Sequence, residues 1–342
     1  MHLEWLFLPD DTFLEYREYL RTNRDRIREL LFLSNDSPIR KIYEVPFRDN
    51  FFQYTGEESG IADISATDSS IFVRELYNGK KIIISRAFTK YGGEVWPSSF
   101  TGIMWVDRED MGQFTVMMME HLEHLSVLKF LRERRPFAAL IDGSLTGRLF
   151  HRKATLLAEG YENFPEKYFL SLKKLIELSL DTEVPLIFIA KSSETSIFRR
   201  FLSERYSIDD DTHREVTDHL LVKSIANSRG YTNPVTRDYT IPTTNFTFKI
   251  STLHVLPDVR DIPLKVDLVQ HADVKEIPPD IINMIFYGYA GYKVYNLWLA
   301  DVDNAVKLRR SEIENIYMKE FERQIGVEFY ETRGERRART RI

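Results

Sequence analysis

An apolar run that ends at an acid followed by glycine is the clearest chemical signal in this sequence. Residues 137–141 are apolar, and Asp142 and Gly143 follow directly. Such a run is typical of a buried strand whose carboxyl end presents a carboxylate at the edge of an open α/β sheet, where ligands bind. Asp-Gly also occurs in ordinary turns, so the pattern alone leaves both interpretations open.

Two further sources of carboxylates could complete a site with Asp142. Asp68 lies in a strand-like segment, and either Glu120 or Glu123 could contribute from a helix predicted over residues 110–131. Three acids brought together would form an all-oxygen site suited to Mg²⁺ or Mn²⁺. Two such ions can activate water and neutralise the leaving oxygen in phosphodiester cleavage, which is the chemistry of nucleases and transposases. The alternative is that Asp68 caps a turn and that Glu120 only faces solvent.

The elements that must position these acids follow an order typical of one fold class. Asn78-Gly79 between two apolar segments predicts a tight hairpin of antiparallel strands, the first of which contains Asp68. The helix over 110–131 then precedes the strand that ends at Asp142, which we expect to run parallel to the strand of Asp68. We therefore predict an α/β, ribonuclease H-like mixed sheet flanked by helices, with an N-terminal helical extension.

Composition excludes several kinds of site. The 342 residues include no cysteine, which excludes disulfides, thiolate zinc sites and iron–sulfur clusters. A net charge of −5 argues against coating nucleic acid by bulk attraction but allows a local basic groove. No apolar stretch approaches the roughly 18–20 residues of a membrane span, and no signal-peptide pattern is visible, so we expect a cytoplasmic protein without a membrane partner. The sequence contains no Walker-type phosphate-binding loop, so we predict no ATPase activity in this chain.

A lysine and a group of aromatic residues are candidates for contacting a polyanion. Lys191 follows the strand predicted over 185–190, where its ammonium could bind a phosphate or simply extend into water. Tyrosine and tryptophan are dense between 287 and 298 and could stack on unpaired bases or fill a core. His121 and His124 lie three residues apart, not the four of a zinc-protease helix, so we predict no zinc site there.

Other segments carry weaker local signals. The mixed composition of residues 36–60 predicts a connection, and the glycine and prolines of 228–242 predict a loop. Near the end of the chain, Ser311 and Glu314 have the spacing of a capping box and predict the start of a helix there.

Residues 60–325 resemble the NurA-type DNA repair nucleases through motifs in the family's order. Residues 139–145, Ala-Leu-Ile-Asp-Gly-Ser-Leu, are similar to the family's later acidic motif. Residues 65–70, Ser-Ala-Thr-Asp-Ser-Ser, are similar to its first motif, which ends in Asp-Gly-Ser, with Ser69 in place of the glycine. Residues 189–192, Ile-Ala-Lys-Ser, are similar to the family's strand followed by lysine.

The last motif adds two candidates. Residues 291–292, Gly-Tyr, and 297–301, Leu-Trp-Leu-Ala-Asp, resemble the family's Gly-Tyr-Pro and its later Ala-His or Ala-Asp pair, with Lys293 in place of the proline. The resemblance implies Tyr292 as a site residue and Asp301 as a further metal or water ligand.

The resemblance implies a Mn²⁺- or Mg²⁺-dependent nuclease that cleaves single- and double-stranded DNA in end resection and repair or in anti-phage defence. It further implies a homodimer working with a HerA-type hexameric ATPase. The expected catalytic residues are Asp68, Glu120, Glu123, Asp142, Tyr292 and Asp301. The expected metal ligands are Asp68, Glu120, Asp142 and Asp301, and the expected DNA contacts are Arg148, Lys191 and Tyr292. The alternative is a catalytically inactive adaptor of the same fold that binds DNA or the ATPase.

We expect three regions along the chain. Residues 1–58 would form a helical extension and linker, 59–328 the ribonuclease H-like nuclease domain, and 329–342 a basic, disordered tail. Within the first region, an amphipathic helix over 10–33 is a candidate surface for the dimer or for the ATPase.

Overall fold

The computed structural model describes residues 11–31, 33–56, 63–151, 153–209, 214–270, 277–291 and 294–326. The helices are α1 Asp11–Thr22, α2 Arg24–Leu31, α3 Pro38–Arg48, α4 Met111–Glu133, α5 Leu145–Leu149, α6 Phe164–Thr182, α7 Ile197–Tyr206, α8 Asp218–Ile225, α9 Pro279–Gly288, α10 Leu297–Val306, α11 Arg310–Glu312, a π-helical turn Ile313–Met318, and α12 Lys319–Ile325. The strands are β1 Phe51–Gln53, β2 Ile64–Glu75, β3 Lys81–Tyr91, β4 Glu94–Met104, β5 Ala138–Asp142, β6 Leu186–Ala190, β7 Gly230–Thr232, β8 Val235–Thr240, β9 Thr247–Leu256 and β10 Leu264–Gln270. None of the described helices combines the length and the apolar character that a membrane crossing requires.

A mixed sheet contains all of these strands, in the order β1-β7-β9-β10-β6-β5-β2-β3-β4, with β8 paired to β9. The strands β2, β3 and β4 form an antiparallel meander, whereas β5 pairs in parallel with β2 on one side and with β6 on the other. The hairpin between β2 and β3 turns at Gly79, whose φ of 81° favours glycine. The predicted hairpin, the parallel return strand and the mixed α/β class are therefore confirmed.

Two compact units divide the chain. The first comprises the described parts of residues 1–55, 192–235 and 253–265, and the second those of 56–191, 236–252 and 266–342. The boundary predicted between residues 58 and 59, and the tail predicted over 329–342, lie outside the described residues.

The second unit has its core between the sheet and the helices α4 and α6. Phe114, Met118 and Leu122 of α4 are buried at helical spacing, as the sequence predicts, and Leu172 and Ile176 of α6 belong to the same cluster. Burial of each such side chain contributes roughly 1.5–3 kcal/mol, which fixes the rotation of α4 about its axis. That rotation determines which helix side chains face β2 at Asp68 and Ser69.

The first unit packs α3, α7 and α8 around a separate core. Tyr43 and Phe47 of α3 are fully buried there with Phe198 and Leu221. The prediction of a connection over 36–60 is wrong because Ser37 caps a real helix: its side chain accepts a hydrogen bond from the backbone of Arg40. Two prolines hid this helix, one at its start, where proline is well tolerated, and Pro46 near its end.

Three other local predictions need correction. The helix predicted over 10–33 is divided into two helices, because Asn23 separates α1 from α2. The loop predicted over 228–242 contains β7 and β8. The prediction of a capping box at Ser311 and Glu314 is wrong. The C-terminal helical segment begins at Arg310 with Arg309 as its cap, so Ser311 lies inside the helix.

Candidate active site

Asp68 and Asp142 lie side by side at the centre of the sheet. The parallel pairing of β2 with β5 aligns Thr67 with Ile141, so the next residue of each strand is one of the two acids. Asp142 is the last residue of β5, at the carboxyl end where open α/β sheets place their ligands. The structure thus brings together the two acids that the sequence places far apart.

Asp68 lies in a crowded, dehydrated position. Its side chain is almost buried, and burial is the largest cause that raises its pKa to about 8. The neighbouring charges of Glu123, Asp142 and Asp303 raise this pKa further, whereas the backbone N–H of Ser69, which donates to Oδ1 at 2.7 Å, lowers it. A carboxylate whose neighbours are other carboxylates has an unmet demand for positive charge.

The helix glutamate that faces Asp68 is Glu123. Its carboxylate is buried and accepts hydrogen bonds from the hydroxyl of Ser69 on β2 and from the guanidinium of Arg148 on α5. Burial is the main cause that raises the pKa of Glu123, and the nearby Arg148 opposes this shift. In the structure the rotation of α4 directs Glu123, rather than Glu120, towards Ser69, the residue that follows Asp68 in β2.

Glu120 lies one turn away and faces a different set of partners. Its Oε2 accepts a hydrogen bond of 2.6 Å from the hydroxyl of Tyr168 and lies 2.8 Å from Nε2 of His151. Although burial favours its neutral form, Arg148 and His151 hold the pKa of Glu120 below its usual range. Glu120 is therefore paired within the protein and is not among the charges that act most strongly on Asp68.

Arg148 was predicted to contact DNA, and that prediction is wrong. The residue is only 1% exposed, and its guanidinium lies among protein groups. Besides Glu123, it donates to the carbonyl of Asp142 at 3.0 Å and lies 3.0 Å from Nε2 of His124. A guanidinium that is fully enclosed by these partners is not accessible to a nucleic acid.

Tyr295 and Asp303 also join the acid group. The sequence analysis includes Tyr295 only among the aromatic residues of 287–298 and does not single out Asp303. The hydroxyl of Tyr295 donates to Oδ1 of Asp142 at 3.0 Å, and burial followed by the charge of Asp142 raises its pKa well above the usual value. Asp303 of α10 is close enough to raise the pKa of both Asp68 and Tyr295. Tyr292, the predicted site tyrosine, lies outside the described residues.

Asp301, the predicted metal ligand of the last motif, is not brought to this group. Its side chain is 59% exposed and forms an ion pair of 2.7 Å with Lys90. Successive residues of an α-helix turn by about 100°, so Asp301 and Asp303 project in very different directions. The sequence signal that could have distinguished the two acids is the apolar Leu299, which is buried in α10. Asp303 lies four residues beyond Leu299 and therefore shares its face of the helix.

A NurA domain matches residues 62–308 of the sequence, which includes all the acids described above. The chain belongs to the NurA domain family. Its structure is similar to that of the NurA nuclease from Sulfolobus solfataricus, with a TM-score of 0.64 at 14% sequence identity, over 94% of this chain and all of that one. It is also similar to a NurA bound to dAMP and manganese, with a TM-score of 0.61 at 15% identity, over 92% of this chain and 98% of that one. At these identities the likeness shows the fold, and the predicted ribonuclease H-like class is confirmed. None of the curated proteins compared with the chain matches it.

The basic residue at the edge of this NurA-domain site is Lys191. Its Nζ lies 3.5 Å from Oδ2 of Asp142 and 4.1 Å from the centre of the Tyr295 ring. Its side chain is 46% exposed, whereas that of Asp142 is 23% exposed and Asp68 and Glu123 are buried, so the lysine is the most accessible of these groups.

The donor set of this NurA-domain chain fits a hard divalent cation in its chemistry. Asp68, Glu123 and Asp142 offer only carboxylate oxygens, which Mg²⁺ and Mn²⁺ prefer, and the mutual repulsion that raises the pKa of Asp68 would be relieved by a cation. Within the described parts of the chain, however, no three His, Asp or Glu side chains are already arranged as metal ligands. Binding would therefore require small side-chain adjustments, which the existing partners of Glu123 and Asp142 would control.

Proposed function

We propose that this chain is a divalent-metal-dependent nuclease that hydrolyses phosphodiester bonds of DNA. The observation that carries the proposal is the convergence of Asp68 in β2, Asp142 at the end of β5 and Glu123 of α4, in which burial and then the charges of Glu123 and Asp142 raise the pKa of Asp68 to about 8. Structural acids are normally paired with bases, and a buried group of acids is typical of a site that receives a cation. Membership of the NurA domain family supports the same activity.

Each residue of the group has a distinct task in the proposed mechanism. Asp68, Glu123 and Asp142 would hold Mn²⁺ or Mg²⁺, and the bound ion would supply an activated water and charge neutralisation at the scissile phosphate. Tyr295 fixes one oxygen of Asp142 through its hydrogen bond. Lys191, which is half exposed above the acids, would bind a phosphate oxygen and so orient the strand to be cut.

The finer parts of the proposal rest on the family rather than on the geometry. A solved NurA carries dAMP and manganese, which supports Mn²⁺ as the metal and a deoxynucleotide chain as the substrate here. Single- and double-stranded DNA are the substrates that the resemblance to the family implies. We propose a role in end resection and repair or in anti-phage defence, which implies a cytoplasmic location.

A homodimer and a HerA-type hexameric ATPase are the proposed partners. The helix α1 supports a partner surface in the first unit, because Phe13, Tyr16 and Tyr19 are each more than half exposed. Deletion of residues 1–35 should abolish co-purification with the ATPase, and unchanged association would contradict this part of the proposal.

A catalytically inactive adaptor remains the second candidate. It is favoured by the absence, among the described residues, of a preformed group of three metal-ligating side chains. It is also favoured by the internal partners of Glu123, since Ser69 and Arg148 already donate to its carboxylate.

One experiment separates the two candidates. Purified protein is incubated with labelled single- and double-stranded DNA in Mn²⁺, in Mg²⁺ and in EDTA, together with two variants. Asp142→Asn should abolish metal-dependent cleavage, whereas Asp238→Asn should retain it, because Asp238 is an exposed acid that pairs with Lys249. Cleavage that persists in Asp142→Asn would reject the assignment, and an inactive but DNA-binding wild-type protein would favour the adaptor.

A further inference from the structure

We propose that Arg148 is a positioning residue of the metal site, which holds the carboxylate of Glu123 in the orientation that a divalent cation requires. This inference rests on the proposed metal-dependent activity and concerns how the site is built. The sequence placed this arginine among the DNA contacts.

The first observation is that one guanidinium contacts both elements that carry the acids. Nη2 of Arg148 donates to Glu123 on α4 and, at 3.0 Å, to the carbonyl of Asp142 at the end of β5. The guanidinium lies over the ring of Phe188, with 5.1 Å between the guanidinium carbon and the ring centre. Arg148 therefore fixes the separation between the helix glutamate and the strand aspartate.

The second observation is that Arg148 is itself firmly held. It lies on the short helix α5, which Ser144 caps and whose first turn is anchored by the buried carboxylate of Asp267. Ser144 Oγ donates to this carboxylate at 3.0 Å and the backbone N–H of Thr146 donates to it at 3.2 Å. The other oxygen of Asp267 accepts a hydrogen bond of 2.7 Å from Thr252. Because its helical turn is anchored and its side chain is buried, Arg148 loses little conformational freedom when it donates to Glu123. It is therefore suited to orient that carboxylate.

The third observation concerns the lone pairs of Glu123. Arg148 donates to Oε2, and the hydroxyl of Ser69 donates to Oε1, so each oxygen has one donor within the protein. A carboxylate oxygen accepts about two hydrogen bonds, which leaves one position on each oxygen for a cation. Outer partners that fix a metal ligand in this way typically change metal affinity about 10–100-fold.

Charge and shape make arginine specific for this position. Its Nε lies 3.9 Å from Oε1 of Glu120, so the guanidinium also neutralises the second acid of α4. A lysine would keep the charge, but its single ammonium could not form the planar, forked contacts with Glu123 and the carbonyl of Asp142 while stacking on Phe188. The proposal therefore predicts that charge alone restores only part of the function.

The test measures Mn²⁺ binding to the full-length protein without DNA, by calorimetry and by the electron paramagnetic resonance of free Mn²⁺. Arg148→Lys should weaken Mn²⁺ binding about 10-fold and Arg148→Gln up to about 100-fold. The matched control is Arg199→Lys, because Arg199 is equally buried but lies in the first unit. It should bind Mn²⁺ like the wild type, which would separate a positioning role from a general loss of a buried arginine.

DNA affinity in EDTA is measured for the same variants. Weaker Mn²⁺ binding with unchanged DNA affinity supports the proposal, whereas unchanged or tighter Mn²⁺ binding in a folded Arg148→Lys protein overturns it, as does a selective loss of DNA affinity. If Arg148→Gln does not fold, Ser69→Ala removes the other donor to Glu123 and should weaken Mn²⁺ binding several-fold; unchanged binding in both it and Arg148→Lys overturns the proposal. A wild-type protein that binds no Mn²⁺ would overturn the proposed metal site as well.

Discussion

The hydroxyl of Tyr295 donates a hydrogen bond of 3.0 Å to Oδ1 of Asp142, although the two residues lie 153 positions apart in the sequence. The other oxygen of the same carboxylate has Nζ of Lys191 at 3.5 Å. The aspartate that ends the central strand is therefore oriented by two groups that arrive from different parts of the second unit. An acid held in this way can offer its remaining lone pairs in a defined direction.

Replacing Tyr295 with phenylalanine should lower Mn²⁺-dependent cleavage about 10-fold or more, because a partner that orients a metal ligand typically contributes this much. Burial and the neighbouring acids raise the pKa of Tyr295, so its hydroxyl remains a donor at neutral pH. The rate of cleavage of a labelled oligonucleotide is measured against Mn²⁺ concentration. Tyr77→Phe is the control, since Tyr77 is 91% exposed in the hairpin between β2 and β3. An equal loss in both variants would show that the hydrogen bond to Asp142 has no special role.

The metal-free protein should lose stability as the pH rises, and Asp68 should be one cause. Its pKa is about 8 in the folded chain and near 3.8 in the unfolded chain, so between these values the folded state holds the extra proton. The free energy of unfolding then falls with increasing pH, by an upper limit of about 6 kcal/mol for this group. Stability that Asp68 contributes at about pH 5 is therefore gone above about pH 8.

Asp68→Asn isolates this effect, because the amide cannot ionise. In EDTA, the melting temperature of the variant minus that of the wild type should increase between about pH 5 and about pH 8. Mn²⁺ at the higher pH should raise the melting temperature of the wild type and not that of the variant. A difference between the two proteins that does not change with pH would contradict the assignment of the raised pKa to Asp68.

The two glutamates of α4 should behave differently when each is replaced by glutamine. Glu123→Gln should weaken Mn²⁺ binding and cleavage strongly, because Glu123 faces Asp68 and offers oxygen ligands. Glu120→Gln should leave Mn²⁺ binding within a few-fold of the wild type but lower the melting temperature, because Glu120 pairs with His151 and accepts from Tyr168. Calorimetry with Mn²⁺ and a thermal melt on both variants provide the comparison. The opposite ranking would return Glu120 to the metal site.

The contrast between these glutamates shows what could be predicted from the sequence and what could not. The end of an apolar run at Asp142 is a local signal, and so is the strand pattern that contains Asp68, so the sequence predicts both acids and the parallel pairing of their strands. The direction of a helix side chain depends on how the helix is rotated about its axis against the sheet. The apolar pattern of α4 defines this rotation only roughly, so it does not decide which of the two glutamates, three residues apart, faces β2. The burial of Arg148 depends on an anchor at Asp267 that no local pattern indicates.

The last prediction distinguishes Asp303 from Asp301. The C-terminal end of α10 is clamped by Arg86 of β3, which donates to the carbonyls of Val306 at 2.7 Å and Lys307 at 3.0 Å. The charge of Asp303 acts on Asp68, whereas Asp301 forms an ion pair with Lys90. These hydrogen bonds fix the end of α10, so that Asp303 is directed towards the site and Asp301 lies outside it.

Asp303→Asn should lower Mn²⁺-dependent cleavage by at least about 10-fold, in line with other groups around a metal ligand, and Asp301→Asn should remain within about 2-fold of the wild type. The expected reason is that Asp303, and not Asp301, is the acid of α10 whose negative charge acts on Asp68. Cleavage rates are measured at saturating Mn²⁺ and at limiting Mn²⁺, so that a defect in metal binding is distinguished from a defect in the chemical step. A large loss in Asp301→Asn, with Asp303→Asn unaffected, would restore the ligand predicted from the sequence motif.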